Sequence, residues 1–227
     1  KSRRTKMDHK EILKHVDHTQ LSAFATWEDS QKLCEEAIEY ETASVCIPPC
    51  YIKRVHDTYG EKINICTVVG FPLGYSVTEA KAAETKKALE DGASEVDMVV
   101  NISDVKNGNY DAVQAEIAAL KKITGDKILK VIIETCYLTE EEKIAMCKAV
   151  TAAGADYIKT STGFGTAGAT LEDIRLFREN IGPDVKMKAA GGVKTVADME
   201  AFLEAGCDRI GTSSAIQLIQ GEQTSGY

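Results

Sequence analysis

Three residues carry the chemistry this sequence can do best: Lys159, Lys188 and Asp97. Lys159 closes an apolar pair in "YIKTSTGFGTAG", and Lys188 stands at the end of "VKMK". Two lysines brought together among apolar neighbours disfavour double protonation, and burial adds to that effect. A free amine is a nucleophile towards carbonyl carbon. Asp97, in "EVDMVV", is placed to pair with one ammonium and to relay protons. A purely structural reading stands beside this one: a buried Lys–Asp pair that holds the fold together. Spacing alone leaves both open.

Glycines and hydroxyls follow the lysines. Gly163 lies in "STGFGTAG", Gly191 and Gly192 in "AAGGVKT", and Gly211, Ser213 and Ser214 in "GTSSA". Such loops let backbone approach a ligand closely and expose N–H groups. The last two open helical stretches, whose N-terminal amides and serine hydroxyls suit a phosphate dianion. Tight strand-to-helix turns need glycine too, so each loop taken singly is a weak signal.

The elements that must position these groups alternate. Val/Ile-rich runs over 13–17, 43–47, 63–69, 95–100, 128–134, 156–160, 185–189 and 208–212 predict strands. Amphipathic stretches such as "WEDSQKLCEEAIEY", "SVTEAKAAETKKALEDG" and "TVADMEAFLEAG" predict helices between them. Alternation of this kind means parallel strands with crossover helices. Eight units in 227 residues is about 28 residues each, the scale of a compact single-domain (β/α)8 TIM barrel. A doubly wound open sheet is the competing architecture. Residues 1–7 read as an N-terminal extension or a non-native remnant, 8–220 as the barrel, and 221–227 as a flexible C-terminal tail.

A repeat sharpens the expectation. "DGASEVD", "AGADYIK" and "AGCDRIG" each set a glycine at a helix end and then enter a strand. The fifth residue after the glycine is Asp97, Lys159 and Gly211; "ETASVC" puts Cys46 at the same place. If these are strands two, four, six and eight, the four residues share one interior layer. Side-chain parity agrees. Val96, Met98 and Val100 oppose Glu95 and Asp97; Leu129, Val131 and Ile133 oppose Lys130 and Glu134; Val185 and Met187 oppose Lys186 and Lys188. The apolar faces should meet the helices and the charged faces the barrel interior, where charge is costly unless paired or used.

Composition narrows the partners. The formal charge of −8 argues against nucleic acid or an anionic membrane as the main partner. No apolar run reaches the roughly 20 residues of a membrane span, and no secretory signal opens the chain. Seven cysteines without zinc-finger or thioredoxin spacing read as reduced thiols, which fits a cytoplasmic protein. A metal-dependent aldolase or isomerase would need clustered histidines and carboxylates. The four histidines are His9, His15, His18 and His56, and the odd spacing in "HVDH" sends His15 and His18 to opposite faces of a strand. A phosphosugar isomerase would share the phosphate loops but use a carboxylate base, and a non-catalytic phosphosugar sensor would bind without turnover.

From about residue 11 to 220 the chain resembles the deoxyribose-phosphate aldolase family, on "VCIPP", "EVDMVVN", "YIKTSTG", "KMKAAGGVKT" and "RIGTSSA". The resemblance implies reversible cleavage of 2-deoxy-D-ribose 5-phosphate to acetaldehyde and D-glyceraldehyde 3-phosphate, with no metal or other cofactor. Lys159 is similar to the Schiff-base lysine of that family, Lys188 to the second lysine and Asp97 to the proton-relay carboxylate. Gly163, Gly191, Gly192, Gly211, Ser213 and Ser214 resemble the phosphate binders, Asp17 the N-terminal acid near the substrate, and Cys46 an active-site-lining cysteine. Some members carry a lysine where this chain has Phe164, so Lys194 is the candidate for the missing positive charge. Some end in a tyrosine that reaches the site, for which Tyr227 is the counterpart. The implied partners are a phosphosugar and aldehydes, and a homodimer is an arrangement the family admits.

Overall fold

The computed structural model describes residues 6–224; Tyr227 lies outside the described residues. Its strands are β1 (Val16–Thr19), β2 (Ser44–Ile47), β3 (Ile65–Val69), β4 (Glu95–Val99), β5 (Ile128–Ile132), β6 (Tyr157–Lys159), β7 (Lys186–Ala190) and β8 (Arg209–Thr212). All are parallel, each pairs with the next in sequence, and β8 pairs with β1, which closes the barrel. The open-sheet alternative is therefore excluded.

Helices α1 (His9–Leu13), α2 (Trp27–Tyr40), α3 (Ile52–Tyr59), α4 (Thr78–Asp91), α5 (Ile102–Lys106), α6 (Tyr110–Thr124), α7 (Glu140–Ala152), α8 (Leu171–Asn180), α9 (Val196–Glu204) and α10 (Ala215–Thr224) complete the described chain. Local chemistry explains several starts. Thr26 with Asp29, Thr139 with Glu142, and Thr195 with Asp198 form reciprocal capping boxes at α2, α7 and α9. The repeat glycines Gly92, Gly154 and Gly206 all take positive φ after α4, α7 and α9, and β4, β6 and β8 begin three residues later at Glu95, Tyr157 and Arg209. That constant offset places equivalent residues of alternate strands at one height.

The first strand departs from expectation. Residues 13–17 read as a strand, but 9–13 are helical and the strand runs 16–19. Asp8 accepts the Lys10 N–H and caps a short helix that buries Ile12 and Leu13, so the apolar run begins one element earlier than its composition suggests.

The parity expectation holds where strands are regular. Val96, Met98, Leu129, Val131, Ile158, Met187 and Ile210 belong to the main apolar core. Each such side chain contributes roughly 1.5–3 kcal/mol on burial. On the opposite faces Glu95, Asp97, Lys130, Lys159 and Lys188 are buried. Two charges behave differently. Lys186, the first residue of β7, is exposed, and Glu134 lies beyond the end of β5 in the loop that follows it. No helix among the described residues is long and apolar enough to cross a membrane.

Candidate active site

Adjacent-strand register sets the site. Asp97 lies opposite Lys130 across β4–β5, and Lys159 opposite Lys188 across β6–β7. From these positions all three amines reach one carboxylate. Lys159 Nζ donates to Asp97 Oδ2 at 3.0 Å, Lys188 Nζ to the same oxygen at 2.8 Å, and Lys130 Nζ to Oδ1 at 3.0 Å. Lys159 is 3% exposed, while Asp97, Lys130 and Lys188 have no exposure, so of these four groups Lys159 is the one open to the outside.

Electrostatics fix the charges of its companions. Burial opposes ionisation of Asp97, but Lys130, Lys159 and Lys188 outweigh it and hold the carboxyl well below its ordinary range. Burial likewise opposes the charge on Lys188, yet Asp17 and Asp97 raise its affinity for a proton. Lys188 is thus a firmly held ammonium, with Asp17 Oδ2 at 2.6 Å and Asp97 Oδ2 at 2.8 Å. The sequence pattern shows the two neighbouring amines and Asp97 as a partner for one of them; it does not show that Asp17 shares in the compensation of Lys188.

Above Lys159 opens a cavity of about 290 Å³. Gly163, Gly191, Gly192, Gly211, Ser213 and Ser214 all line it with Lys159, so the glycine and serine positions are brought together at the C-terminal end of the strands. Two of these glycines have a steric reason. A side chain at Gly211 would meet Lys188 Cε at 2.9 Å, so the absence of a Cβ makes room for the second lysine. Gly191 has φ +76°, a left-handed backbone that turns β7 into its loop. A larger groove of about 940 Å³ lies at the N-terminal ends of the strands, lined by Ser44, Asn64, Ile65 and Ser94, and holds none of the expected site residues.

Other expected residues fall elsewhere. Asp17 does not line the cavity; it is completely buried beneath it, its Oδ1 accepting hydrogen bonds from Ser44 Oγ and Arg209 Nη1, each at 2.7 Å, and its Oδ2 ion-paired with Lys188 Nζ. Lys194 is exposed on the loop before α9 and outside the cavity lining. Phe164 lines the cavity rim, 57% exposed, with its ring edge-on to Phe71 at 5.6 Å. Cys46 is buried beside Cys66, its register partner on β3, and the hydrogen bond from Cys66 pulls its thiol below the ordinary range. His15 and His18 have different partners, but strand parity is not the reason, since His15 lies in the turn before β1: His15 Nδ1 meets the Asp208 carbonyl at 2.8 Å, and His18 is buried with Nε2 3.6 Å from Glu36.

Metal-type donors do gather below the cavity. Ligand atoms of Cys46, Cys66 and Asp97 lie within 4.8 Å of one another, as do those of Asp17, Cys66 and Glu95. Lys130 Nζ sits among both groups, 3.2 Å from Cys66 Sγ, 3.2 Å from Asp17 and 2.7 Å from Glu95, and its ammonium competes for the same lone pairs.

The sequence reading did not single out Lys130, Arg209 or Thr162 for a role. Lys130 carried a signal, the parity of "ILKVIIE"; Arg209 carried only its place before a glycine strand residue. Glu134 organises the β6 loop by accepting the Thr162 N–H at 3.0 Å and the Thr162 hydroxyl at 2.6 Å, a partnership between distant segments that spacing does not reveal.

The barrel and the buried lysine–carboxylate cluster under a glycine-lined mouth find a family counterpart. Residues 5–215 match the DeoC/LacD family aldolase, and the chain belongs to that family: it is a barrel aldolase, an enzyme of the lyase class. Deoxyribose-phosphate aldolases are its relatives. That of Clostridium botulinum (strain Alaska E43 / Type E3) is 72% identical over 221 residues, covering 97% of this chain and 100% of the relative. That of Clostridioides difficile (strain 630) is 60% identical over 218 residues, covering 96% and 100%. Among solved structures, the tetrameric deoxyribose phosphate aldolase of Aeropyrum pernix superposes with a TM-score of 0.89 at 30% identity, covering 96% of this chain and 93% of that one.

Proposed function

We propose that the chain reversibly cleaves 2-deoxy-D-ribose 5-phosphate to acetaldehyde and D-glyceraldehyde 3-phosphate through a Schiff base on Lys159. The observation that carries this reading is the convergence of Lys159 and Lys188 on Asp97 Oδ2 directly below the glycine-lined cavity.

In the synthetic direction the free amine of Lys159 adds to the carbonyl carbon of acetaldehyde. Loss of water from the carbinolamine gives an iminium, which acidifies the neighbouring methyl group. A proton leaves that carbon, with Asp97 placed to accept it through water and Lys188 placed to keep the carboxylate ionised. The resulting enamine attacks the aldehyde carbon of glyceraldehyde 3-phosphate, and water then releases the lysine. Cleavage is the reverse. The amides around Gly163, Gly191 and Gly192 and the hydroxyls of Ser213 and Ser214 take the phosphate, whose remote binding energy orients the reacting carbons.

Two relatives and a fold-level neighbour bearing the deoxyribose-phosphate aldolase name support the substrate. Borohydride reduction in the presence of substrate should leave a stable adduct on Lys159, located by peptide mass spectrometry. An adduct on Lys188, or none, overturns the assignment.

A further inference from the structure

The barrel interior continues well below the reacting amine. Arg209 enters from the N-terminal end of β8 and grips Glu95 with both nitrogens, Nη1 to Oε1 at 2.7 Å and Nη2 to Oε2 at 3.1 Å. The same Nη1 donates to Asp17 Oδ1 at 2.7 Å. Lys130 then joins this lower tier to the upper one, bridging Glu95, Asp17 and Asp97. A chain of ion pairs thus runs from Arg209 through Glu95 and Lys130 to Asp97 and Lys159.

The buried charges nearly cancel, and Lys159 decides the remainder. Three interior carboxylates, Asp17, Glu95 and Asp97, face three amines or guanidinium groups other than Lys159, namely Lys130, Lys188 and Arg209. With Lys159 as the free amine the sum of these seven groups is zero (three negative, three positive); with it protonated the sum is +1. An unbalanced buried charge is costly. Arg209 is therefore one of three cations that make the Lys159 proton the surplus one, and of the three it alone forms no ion pair with Asp97.

Resting on the Schiff-base reading above, we infer that Arg209 and Glu95 are positioning residues that set the protonation of Lys159 from the opposite end of the barrel. Neither touches Lys159, so their influence travels by charge through Lys130, Asp17 and Asp97. The other ionisable groups on the inner faces are common to every comparison: the thiols of Cys46 on β2 and Cys66 on β3, and the phenol of Tyr157 on β6, whose ring lies between Lys130, Lys186 and Arg209. Lys186 on β7 is exposed to solvent, and Glu134 on the rim accepts its hydrogen bonds from Thr162.

The charge argument makes a prediction of opposite sign for the two partners. Arg209→Met removes a positive charge and favours the protonated amine, so imine formation should require higher pH. Glu95→Gln removes a negative charge and should allow it at lower pH. Arg209→Lys keeps the charge and should leave the pH dependence in place. The readout is the pH profile of cyanoborohydride trapping of acetaldehyde, a substrate with no titrating phosphate, on the full chain, with folding checked by circular dichroism. Displacements of about one pH unit in each direction are expected for a unit charge acting through the barrel interior. Repeating both in a Cys46→Ser background removes the one inner thiol shifted downward.

Shifts in the same direction, or none in folded variants, overturn the inference. If Arg209→Met does not fold, an unmoved profile in Glu95→Gln does so alone. Failure of the wild type to trap acetaldehyde on Lys159 instead brings down the aldolase mechanism itself, so the two failures are told apart.

Discussion

Lys159 and Lys188 donate to the same oxygen, Oδ2 of Asp97, at 3.0 and 2.8 Å. One of these amines is almost sealed in by Asp17 and Asp97, and the other borders the cavity. The division of labour we propose rests on this: the compensated lysine is held as an ammonium, and the cavity-facing one is the proposed nucleophile.

Substitution of Lys159 by Leu should abolish turnover while circular dichroism shows an unchanged fold. The side chain it replaces lies at the edge of the cavity, so apolar bulk there leaves no buried partner stranded beyond one arm of Asp97.

Asp97→Asn should lower kcat by roughly a hundredfold to ten-thousandfold, the range typical for loss of a general acid–base group. Borohydride trapping of acetaldehyde should survive better than the full reaction, because proton transfer at carbon comes after imine formation. The variant should also be less stable, since three lysines lose their common anion.

Stability should show a plateau bounded by the buried titratable groups. Burial opposes the charges on Asp17, Glu95 and Asp97, but the surrounding cations depress all three. Their contribution is present above the unfolded values, about 3.9 for Asp and 4.3 for Glu, and is lost as pH falls through the folded ones. Lys188 is shifted upward, so its contribution is present below about 10.4 and is lost as pH rises beyond that. Burial also lowers His18 and pushes the thiols of Cys34, Cys147 and Cys207 up to about 12, so the unfolded chain gains a proton below about 6.5 and loses protons above about 8.5. Calorimetric Tm should therefore be flat only between about 6.5 and about 8.5 and fall on both sides, most steeply beyond the carboxylate and lysine limits; a maximum at either pH extreme would contradict this.

Gly211→Ala should impair catalysis by displacement of Lys188, whose Cε lies 2.9 Å from the position of the new Cβ. By contrast, Ser213→Ala combined with Ser214→Ala should raise KM for the phosphorylated sugar about tenfold and leave KM for unphosphorylated deoxyribose unaltered. Steady-state kinetics with both sugars separates the two effects.

A structural ion pair away from the site gives a control. Lys81 Nζ, buried between α4 and α6, donates to the Glu116 carboxylate and to the Val99 carbonyl at 2.8 Å. Lys81→Met leaves Glu116 without its buried cation and should cost about 3–5 kcal/mol. The urea midpoint should fall while activity per folded molecule is kept.

Much of this was legible in order along the chain. Alternating periodicity, the glycine spacing of the repeat and the parity of "EVDMVV" and "VKMKAAGG" determine a parallel barrel with Asp97, Lys159 and Lys188 pointing inward, because strand side chains alternate and each helix-end glycine fixes where the next strand begins. The start of β1 was misplaced because a four-residue strand and a one-turn helix share the same apolar composition. Only the tertiary structure decided that Asp17 lies under the cavity, that Lys194 is exposed and outside its lining, and that Lys130, Glu95 and Arg209 tie Asp97, Lys159 and Lys188 to the far end of the barrel. Those relations join strands that are remote in sequence, and Coulomb interactions depend on distances that exist only once the sheet has closed.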